Sequence, residues 1–223
     1  MVHATVMRRY WKLITANLLA LCLGAYVALY GFGLPGKTSL DPNQIEGLFW
    51  PYQKQLTEFD LTDHNGQPFN LQSLSKQWNL VFFGYTYCPD ICPVTMAMLR
   101  EASVLYQQQA PEEFADFRVT FISVDGERDQ TAHLANYIRF YNDSWLAASG
   151  DKASVDSLTK QLGVPYEIEP HEPGDKSYLV SHSGTLFLLS PEGKLVSTIQ
   201  PPHDVNEVVD RLIKIREFFK QNS

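Results

Sequence analysis

Apolar residues along the chain follow two periods, which together predict strands alternating with helices. Residues 79–85 and 118–124 are nearly continuous apolar runs of strand length, as expected of buried strands. Helical spacing of apolar residues appears in four further stretches, residues 93–109, 131–141, 154–162 and 205–219. In the first stretch the expected core stripe is Val94, Met98, Ala102 and Leu105.

Turn residues predict a hairpin near each end of this region. Residues 59–63 and 68–74 flank an Asn-Gly turn, and residues 186–189 and 195–199 flank a Ser-Pro-Glu-Gly-Lys turn. Residues 145–148 are expected to form a short strand between two helices. Strands that alternate with helices before a terminal hairpin predict a mixed α/β sheet flanked by helices. Residues 51–223 are therefore expected to form one domain.

The N-terminal region has a different pattern, because residues 13–34 contain no charged side chain. About 20 apolar residues span a bilayer as a helix, so this stretch is predicted to be a transmembrane anchor. Arg8, Arg9 and Lys12 immediately precede it, which predicts that residues 1–12 form a short cytoplasmic head. Residues 35–50 are expected to be a linker, and the domain would then lie on the periplasmic side of a bacterial inner membrane.

Two alternatives to an uncleaved anchor are open. A cleaved signal peptide usually has an apolar core of about 7–15 residues before a small-x-small site, and this stretch is longer and lacks a convincing site. Cys22 could mark a lipoprotein, but the bulky Leu21 before it argues against lipid attachment. Cys22 is instead expected to be a small apolar residue in lipid.

Composition excludes several classes of function. The 223-residue chain is 44% hydrophobic and 19% charged, which is typical of a globular protein. Its formal net charge is −7 and no basic patch dominates, so nucleic-acid binding is not expected. Three cysteines are too few for a disulfide-rich secreted scaffold.

Cys88 and Cys92 lie between a predicted buried strand and the next helix, where a thioredoxin-like domain keeps its reactive thiols. Within a helical turn, their spacing would place both sulfurs on one face, where they could hold a soft metal or form a disulfide bond. Thiolates select copper(I), zinc or iron–sulfur clusters. Two cysteines are too few for a structural zinc site or a cluster, so copper(I) with an imidazole as third ligand fits best.

The six histidines differ as candidates for that third ligand. His182 precedes a predicted strand and would be positioned by the sheet, although a structural role for it is also open. The other five are expected elsewhere: His3 before the anchor, His64 in a solvated turn, His133 on an exposed helix face, His171 in a loop and His203 at a helix start. Met96 and Met98 could act as soft ligands, but their helical spacing favours core positions.

Residues 83–93, Phe-Gly-Tyr-Thr-Tyr-Cys-Pro-Asp-Ile-Cys-Pro, closely resemble the signature of the Sco/SenC family. The resemblance covers about residues 55–217 and includes the Ile-Ser-Val-Asp-Gly-Glu-Arg-Asp sequence at 122–129. It implies a membrane-anchored protein with a thioredoxin-like fold, in which Cys88, Cys92 and His182 bind copper. It also implies a metallochaperone that helps to assemble the copper centre of cytochrome c oxidase. The implied partners are a copper-accepting oxidase subunit and other copper chaperones or thiol reductants.

The chain departs from the family pattern at two positions. Ser181 replaces the aspartate that usually precedes the histidine, and Gly126 replaces the proline of an Asp-Pro-Glu sequence. An aspartate beside the ligand could orient the imidazole, so the Ser181 departure bears on copper affinity rather than on ligand identity. Asp90 matches the family pattern and is expected to cap the turn rather than to bind metal.

The same cysteines are compatible with two other functions. A thiol–disulfide oxidoreductase could reduce the cysteines of the oxidase copper site, and it would not require His182. A thioredoxin-type motif has two residues between its cysteines, however, whereas this chain has three. Copper storage or redox sensing is the remaining alternative. Only the reductase would make the protein an enzyme.

Overall fold

The computed structural model describes residues 53–222 and a few earlier positions, namely Trp11, Asn17, residues 19–21, Tyr26 and Phe49. The chain divides into two units, Met1–Leu40 and Asp41–Ser223. The described residues of the first unit are all helical. Among all described residues, no helix is long and apolar enough to cross a membrane. Most of the predicted head, anchor and linker, including Cys22, lies outside the described residues, so those assignments stay predictions.

The described part of the second unit contains ten strands, most of them in one sheet. They are β1 (Lys54–Gln55), β2 (Asp60–Asp63), β3 (Pro68–Asn70), β4 (Trp78–Gly84), β5 (Phe117–Ser123), β6 (Leu146–Ser149), β7 (Tyr166–Ile168), β8 (Val180–His182), β9 (Leu186–Leu189) and β10 (Lys194–Ile199). Eight strands form a sheet in the order β1-β10-β9-β4-β5-β6-β2-β3, and β7 pairs with β8 separately. Because β4, β5 and β6 are parallel and their outer neighbours antiparallel, the predicted mixed sheet is confirmed.

Five helices and one 3₁₀ turn (Leu71–Leu74) connect or follow these strands in the described region. The helices are α1 (Ile91–Gln109), α2 (Pro111–Phe114), α3 (Thr131–Tyr141), α4 (Lys152–Leu162) and α5 (Val205–Gln221). Local sequence explains their ends. The Asp151 side chain accepts a hydrogen bond from the Ser154 amide at the start of α4, and Gly163 ends that helix in a left-handed conformation with φ of 70°.

The central strands are buried on both faces of the large sheet. Leu80 and Phe82 of β4 face a core layer completed by α1, α3 and α5. Val81 and Phe83 face the opposite layer, to which Val155 and Leu158 of α4 contribute. Burial on both faces explains why β4 is a continuous apolar run rather than an alternating one.

The predicted core stripe of α1 is wrong in detail. Val94 is 68% exposed, and Met98 and Leu105 are only half-buried. Ala102 is buried as predicted, and the other buried positions of the helix are Cys92, Thr95, Met96, Leu99, Ser103 and Tyr106. The small polar side chains of Thr95 and Ser103 therefore belong to the core face, and they hide its periodicity from a hydropathy pattern. The buried stripe begins at Cys92, so packing of α1 directly positions one candidate ligand.

Candidate metal centre

The two cysteines lie where β4 passes into α1. Cys88 lies in the connecting turn, and its amide donates a hydrogen bond to the Tyr85 carbonyl at 3.2 Å. Cys92 lies in the first turn of α1 and is fully buried, whereas Cys88 is half-buried. Asp90 occupies the N-cap position, but its side chain makes no capping hydrogen bond. The capping role predicted for Asp90 is therefore wrong.

The Cys92 sulfur lies so close to the end of β4 that the last residue of this strand, Gly84, must be a glycine. A Cβ atom built on Gly84 would lie 2.5 Å from Cys92 Sγ and 3.1 Å from the Phe121 ring. No larger residue fits there unless the helix or the thiol moves. The glycine just before the cysteine loop thus lets the buried sulfur approach the end of the strand.

His182 is the last residue of β8, and its imidazole lies beside the cysteine pair. Its Nε2 atom lies 3.3 Å from Cys92 Sγ. The sulfurs of Cys88 and Cys92 and one nitrogen of His182 all lie within 4.8 Å of one another. Tyr85 and Phe82 pack against the imidazole with ring centroids 5.7 and 6.2 Å away, which restricts its rotation. The structure therefore brings all three sequence-predicted site residues together.

Hydrogen bonding selects which nitrogen of His182 faces the sulfurs. Nδ1 lies 3.1 Å from the Ser183 carbonyl oxygen, which can only accept a hydrogen bond. The proton is therefore assigned to Nδ1, and Nε2 keeps a lone pair directed at the cysteines. Metal-binding histidines commonly donate their other N–H to a backbone carbonyl in this way. The imidazole is thus prepared to bind a metal ion through Nε2.

The two thiols have opposite electrostatic environments. A hydrogen bond from the Cys92 thiol lowers the pKa of Cys88 to about 4, with further help from the Cys92 and Asp90 amides. The same thiol–thiolate contact, together with burial, raises the pKa of Cys92. Cys88 is therefore the thiolate of the metal-free pair, and Cys92 carries the shared proton.

Two thiolates and one imidazole are a donor set for a soft ion. Within the described residues, the cluster has no fourth ligand: no other histidine, cysteine, aspartate or glutamate joins it. Structural zinc sites need four protein ligands, whereas copper(I) is satisfied by two or three. The residues present therefore fit copper(I), and the imidazole also provides a ligand suited to copper(II).

The remaining described histidines lie outside the cluster. The prediction of a solvated turn for His64 is wrong: its side chain is 8% exposed, and Nδ1 accepts a hydrogen bond from the Ala147 amide at 3.1 Å. Pairing of β2 with β6 draws this turn against the sheet. His133 is exposed and stacks on Tyr87 with centroids 5.0 Å apart. His3 lies outside the described residues.

His171 and His203 make specific contacts that the sequence did not indicate. His171 stacks on Tyr178 at 3.6 Å and pairs with Glu127. His203 Nε2 donates a hydrogen bond to the Gly184 carbonyl at 2.7 Å and so fixes the loop that follows His182. Met96 is fully buried and Met98 packs against the same core, as the helical spacing predicted.

Both departures from the family pattern have a structural basis. Ser181 is exposed and pairs with Glu167 on β7, so an aspartate there would face a like charge. The Ser183 carbonyl orients His182 instead. A Cβ on Gly126 would lie 1.8 Å from the Gly150 carbonyl oxygen, which excludes any larger residue from the present loop conformation.

The chain is similar in sequence and structure to proteins of known family. The SCO1/SenC family model matches residues 51–217. A Stutzerimonas stutzeri protein named "Putative copper-binding protein" is 34% identical over 160 residues, which cover 72% of this chain and 76% of the relative. The mouse mitochondrial SCO2 homolog is 31% identical over 155 residues, which cover 70% of this chain and 60% of the mouse protein. The crystal structure of Arabidopsis thaliana ScoI with copper bound superposes with a TM-score of 0.66 at 30% identity, covering 72% of this chain and 98% of that one.

Proposed function

Because the chain belongs to the SCO1/SenC family, we propose that it is a copper metallochaperone whose cargo is held by Cys88, Cys92 and His182. The observation that carries this proposal is the convergence of two sulfurs and one imidazole nitrogen at the end of the central strand. Copper bound to the similar Arabidopsis protein supports copper over other soft metals. The Nδ1 contact of His182 supports a ligand role for that residue over a purely structural one.

Unequal burial of the cysteines suits stepwise transfer of the cargo. Cys88 is half-buried beside solvent, and Cys92 is fully buried. Thiolates of an acceptor would displace Cys88 first and Cys92 last, so the ion passes from one set of ligands to the other without release into water. The pair can hold copper only while reduced, because a disulfide has no thiolate to offer.

The acceptor that we propose is the copper centre of a cytochrome c oxidase subunit, as the family resemblance implies. An anchor at residues 13–34, preceded by basic residues, would hold the domain on the periplasmic face of the bacterial inner membrane. A linker at 35–50 would let the domain at 51–223 reach a membrane-bound acceptor. Other copper chaperones or thiol reductants would supply the metal and keep the thiols reduced.

A second function, thiol–disulfide exchange, is favoured by the asymmetry of the same pair. The accessible Cys88 could attack a disulfide of the acceptor, and Cys92 would then resolve the mixed disulfide. One acceptor disulfide would become two thiols while Cys88 and Cys92 become a disulfide, so a thiol reductant is needed for turnover. This reaction requires both cysteines but no metal ligand from His182.

The experiment that separates these functions replaces His182 by alanine and keeps the dithiol. The host bacterium lacking the chain would be complemented with wild type, His182→Ala, Cys88→Ser or the control His133→Ala. The copper content and activity of its cytochrome c oxidase would then be measured. His133 is a matched control because it is exposed and lies outside the cluster.

Copper delivery predicts that His182→Ala and Cys88→Ser both lower oxidase copper, and that added copper partly restores it. His133→Ala should behave as wild type. Full oxidase assembly with His182→Ala but not with Cys88→Ser would favour thiol exchange. Full assembly with both variants would contradict either function.

A further inference from the structure

The loop between β5 and α3 contacts both sequence segments that form the metal centre. This loop carries the Asp-Gly-Glu-Arg-Asp sequence, to which neither copper binding nor thiol exchange assigns a role. Two consecutive residues of the loop, Arg128 and Asp129, are buried and charged. Burying charge is unfavourable unless specific partners compensate for lost water, so their contacts indicate what the loop holds in place.

Arg128 holds the segment that leads into His182. Its Nη1 donates hydrogen bonds to the carbonyls of Lys176 at 3.0 Å and Tyr178 at 2.7 Å. Its guanidinium carbon lies 3.6 Å from the centre of the Tyr178 ring. These contacts fix the backbone immediately before β8, the strand that ends at His182. The planar guanidinium holds its donors at fixed positions, so Nη1 can bind both carbonyls while Nε binds the Asp125 carboxylate.

Asp125 joins Arg128 to Tyr178 a second time. Arg128 Nε donates a hydrogen bond to one oxygen of the Asp125 carboxylate, and the Tyr178 hydroxyl donates to the other at 2.8 Å. Asp125 is fully buried, and Arg128 and Tyr178 are less than a tenth exposed. The three side chains therefore form a closed set that ties the His182 segment to the β5–α3 loop.

Asp129, the next residue, holds the cysteine segment instead. Its carboxylate accepts hydrogen bonds from the Thr86 amide at 2.8 Å and the Thr86 hydroxyl at 2.5 Å. Thr86 lies two residues before Cys88. Ser123 of β5 donates a third hydrogen bond at 2.5 Å, which ties Asp129 to the sheet. Asp129 is 1% exposed, so this support is internal and rigid.

The guanidinium of Arg128 also contacts the cysteine segment. Its carbon lies 5.1 Å from the Tyr87 ring centre and 5.3 Å from the Tyr85 ring centre, on either side of Thr86. Arg128 Nη2 is buried and has no hydrogen-bond partner among the described residues. Cation–π contacts with these rings fit such an environment. One side chain thus contacts both halves of the site.

We propose that Arg128 and Asp129 are positioning residues. They hold the segment that ends at His182 (the His182 arm, or histidine arm) and the segment from Thr86 to Cys92 (the cysteine arm) at the separation that copper requires. The inference rests on the proposed function. Since the two arms come from segments about 90 residues apart, the short loop between them sets their spacing. Arg128 acts mainly on the histidine arm, to which its hydrogen bonds run, and Asp129 acts on the cysteine arm. Variants of the two residues should therefore affect the two oxidation states of copper differently.

The test loads the reduced full-length protein, purified in detergent, separately with copper(I) and copper(II). Arg128→Lys keeps the charge beside Asp125 but loses the fork. It should weaken copper(II) binding about tenfold and shorten the life of the thiolate-to-copper(II) absorption band, with a smaller effect on copper(I). Asp129→Asn should weaken binding of both ions, because both need the cysteines. Arg216→Lys is the matched control, since Arg216 is also buried, ion-paired and stacked on an aromatic ring, but beside Trp78 at the start of β4.

Two further variants make the test decisive. In a His182→Ala background, which still binds copper(I), Arg128→Lys should lower copper(I) affinity less than it does in the wild type, because its main effect passes through His182. If circular dichroism shows that Arg128→Lys is unfolded, Tyr178→Phe replaces it, since this change removes only the hydroxyl bond to Asp125 and should shift copper(II) binding in the same direction by less.

Three results would overturn the proposal: a wild-type copper(II) band in folded Arg128→Lys, an equal loss of copper(I) affinity from Arg128→Lys in the wild-type and His182→Ala backgrounds, or, where Arg128→Lys is unfolded, wild-type binding by Tyr178→Phe. Failure of the proposed function would look different. In that case His182→Ala or Cys88→Ser would itself leave copper binding unchanged, whatever Arg128→Lys does.

Discussion

The Cys92 sulfur lies 3.3 Å from Nε2 of His182, although 90 residues separate them in the chain. Cys92 is placed by helix packing, because it begins the buried stripe of α1. His182 is placed by the two-stranded β7–β8 sheet and by the Ser183 carbonyl. Contacts within the protein thus hold both residues. The site is therefore preorganised, and binding need not order either arm.

The first prediction concerns thiol reactivity in the metal-free, reduced protein. Cys88 is accessible and its pKa is lowered to about 4 by its hydrogen bond from Cys92, so it stays a thiolate at every pH above that value. Iodoacetamide should alkylate Cys88 at a nearly constant rate from pH 8 down to pH ~5, and the rate should fall only near pH ~4. Cys92, buried and with its pKa raised, should remain unmodified. Mass spectrometry of quenched samples measures both rates.

Urea-unfolded protein is the control for this experiment. Its thiols should follow an ordinary pKa near ~8.5, so alkylation should slow about tenfold for each pH unit below that. The same steep decline for Cys88 in the folded protein would contradict the thiolate assignment.

The second prediction concerns ligand identity. Cys88→Ser and Cys92→Ser should each remove most copper(I) binding, because a hydroxyl is a poor ligand for a soft ion. Competition with a chromophoric copper(I) chelator, using full-length protein in detergent, measures the loss. Cys22→Ser is the matched control, since the sequence predicts that Cys22 lies in the membrane anchor, and it should bind as wild type. Tight binding that survives in both cysteine variants would reject the site.

Much of the fold was predictable because the strong sequence signals are local. The strands at 78–84 and 117–123 and the helices at 131–141 and 152–162 lie within three residues of their predicted positions. Strand β1, helix α2 and the β7–β8 pair were not predicted. Each of these elements has at most four residues; β1 pairs with the distant strand β10, and β7 pairs with β8 across an irregular loop. Such pairing leaves little periodicity in the sequence.

The three residues of the candidate site could be predicted from the sequence, but the buried hydrogen bonds that hold them in place could not. The spacing of Cys88 and Cys92 indicated a soft-metal pair, and family resemblance was needed to single out His182 among six histidines. The hydrogen bonds made by Arg128 and Asp129 join residues that are about 40 to 50 positions apart in the sequence. Only the conspicuous charged sequence at 125–129 could have pointed to them. The burial of His64 was missed because its partner, Ala147, belongs to a distant strand.

The third prediction uses the close approach of Gly84 to Cys92. Gly84→Ala should place a methyl group 2.5 Å from the Cys92 sulfur and so force the thiol or α1 to move. We expect a loss of about 1–3 kcal/mol in the free energy of unfolding, measured by urea titration, and weaker copper(I) binding. In a Cys92→Ala background the same substitution should be less harmful, because the sulfur is gone. An equal loss in both backgrounds would show that the strain comes from elsewhere.

The fourth prediction separates the two oxidation states of copper through His182. Copper(I) is satisfied by two thiolates, so His182→Ala should weaken its binding only modestly. Copper(II) prefers nitrogen ligands in a tetragonal set, so its thiolate charge-transfer band should be lost or short-lived in the variant. Visible absorption measures the band, and His133→Ala should retain it. A stable, unchanged band in His182→Ala would make His182 a structural residue.

The last prediction restores the aspartate that the family usually has before the histidine. Ser181 is exposed and lies opposite Glu167 in the β7–β8 pair, so Ser181→Asp would set two carboxylates side by side. Like charges across a strand pair should lower the free energy of unfolding by about 0.2–1 kcal/mol at neutral pH, measured by urea titration. Glu167→Gln in the same chain should remove that loss. Copper affinity should stay at its wild-type value, because the Ser183 carbonyl already holds Nδ1 of His182. A clear gain in copper affinity would instead mean that the new carboxylate competes with the Ser183 carbonyl for that proton and raises the basicity of the imidazole.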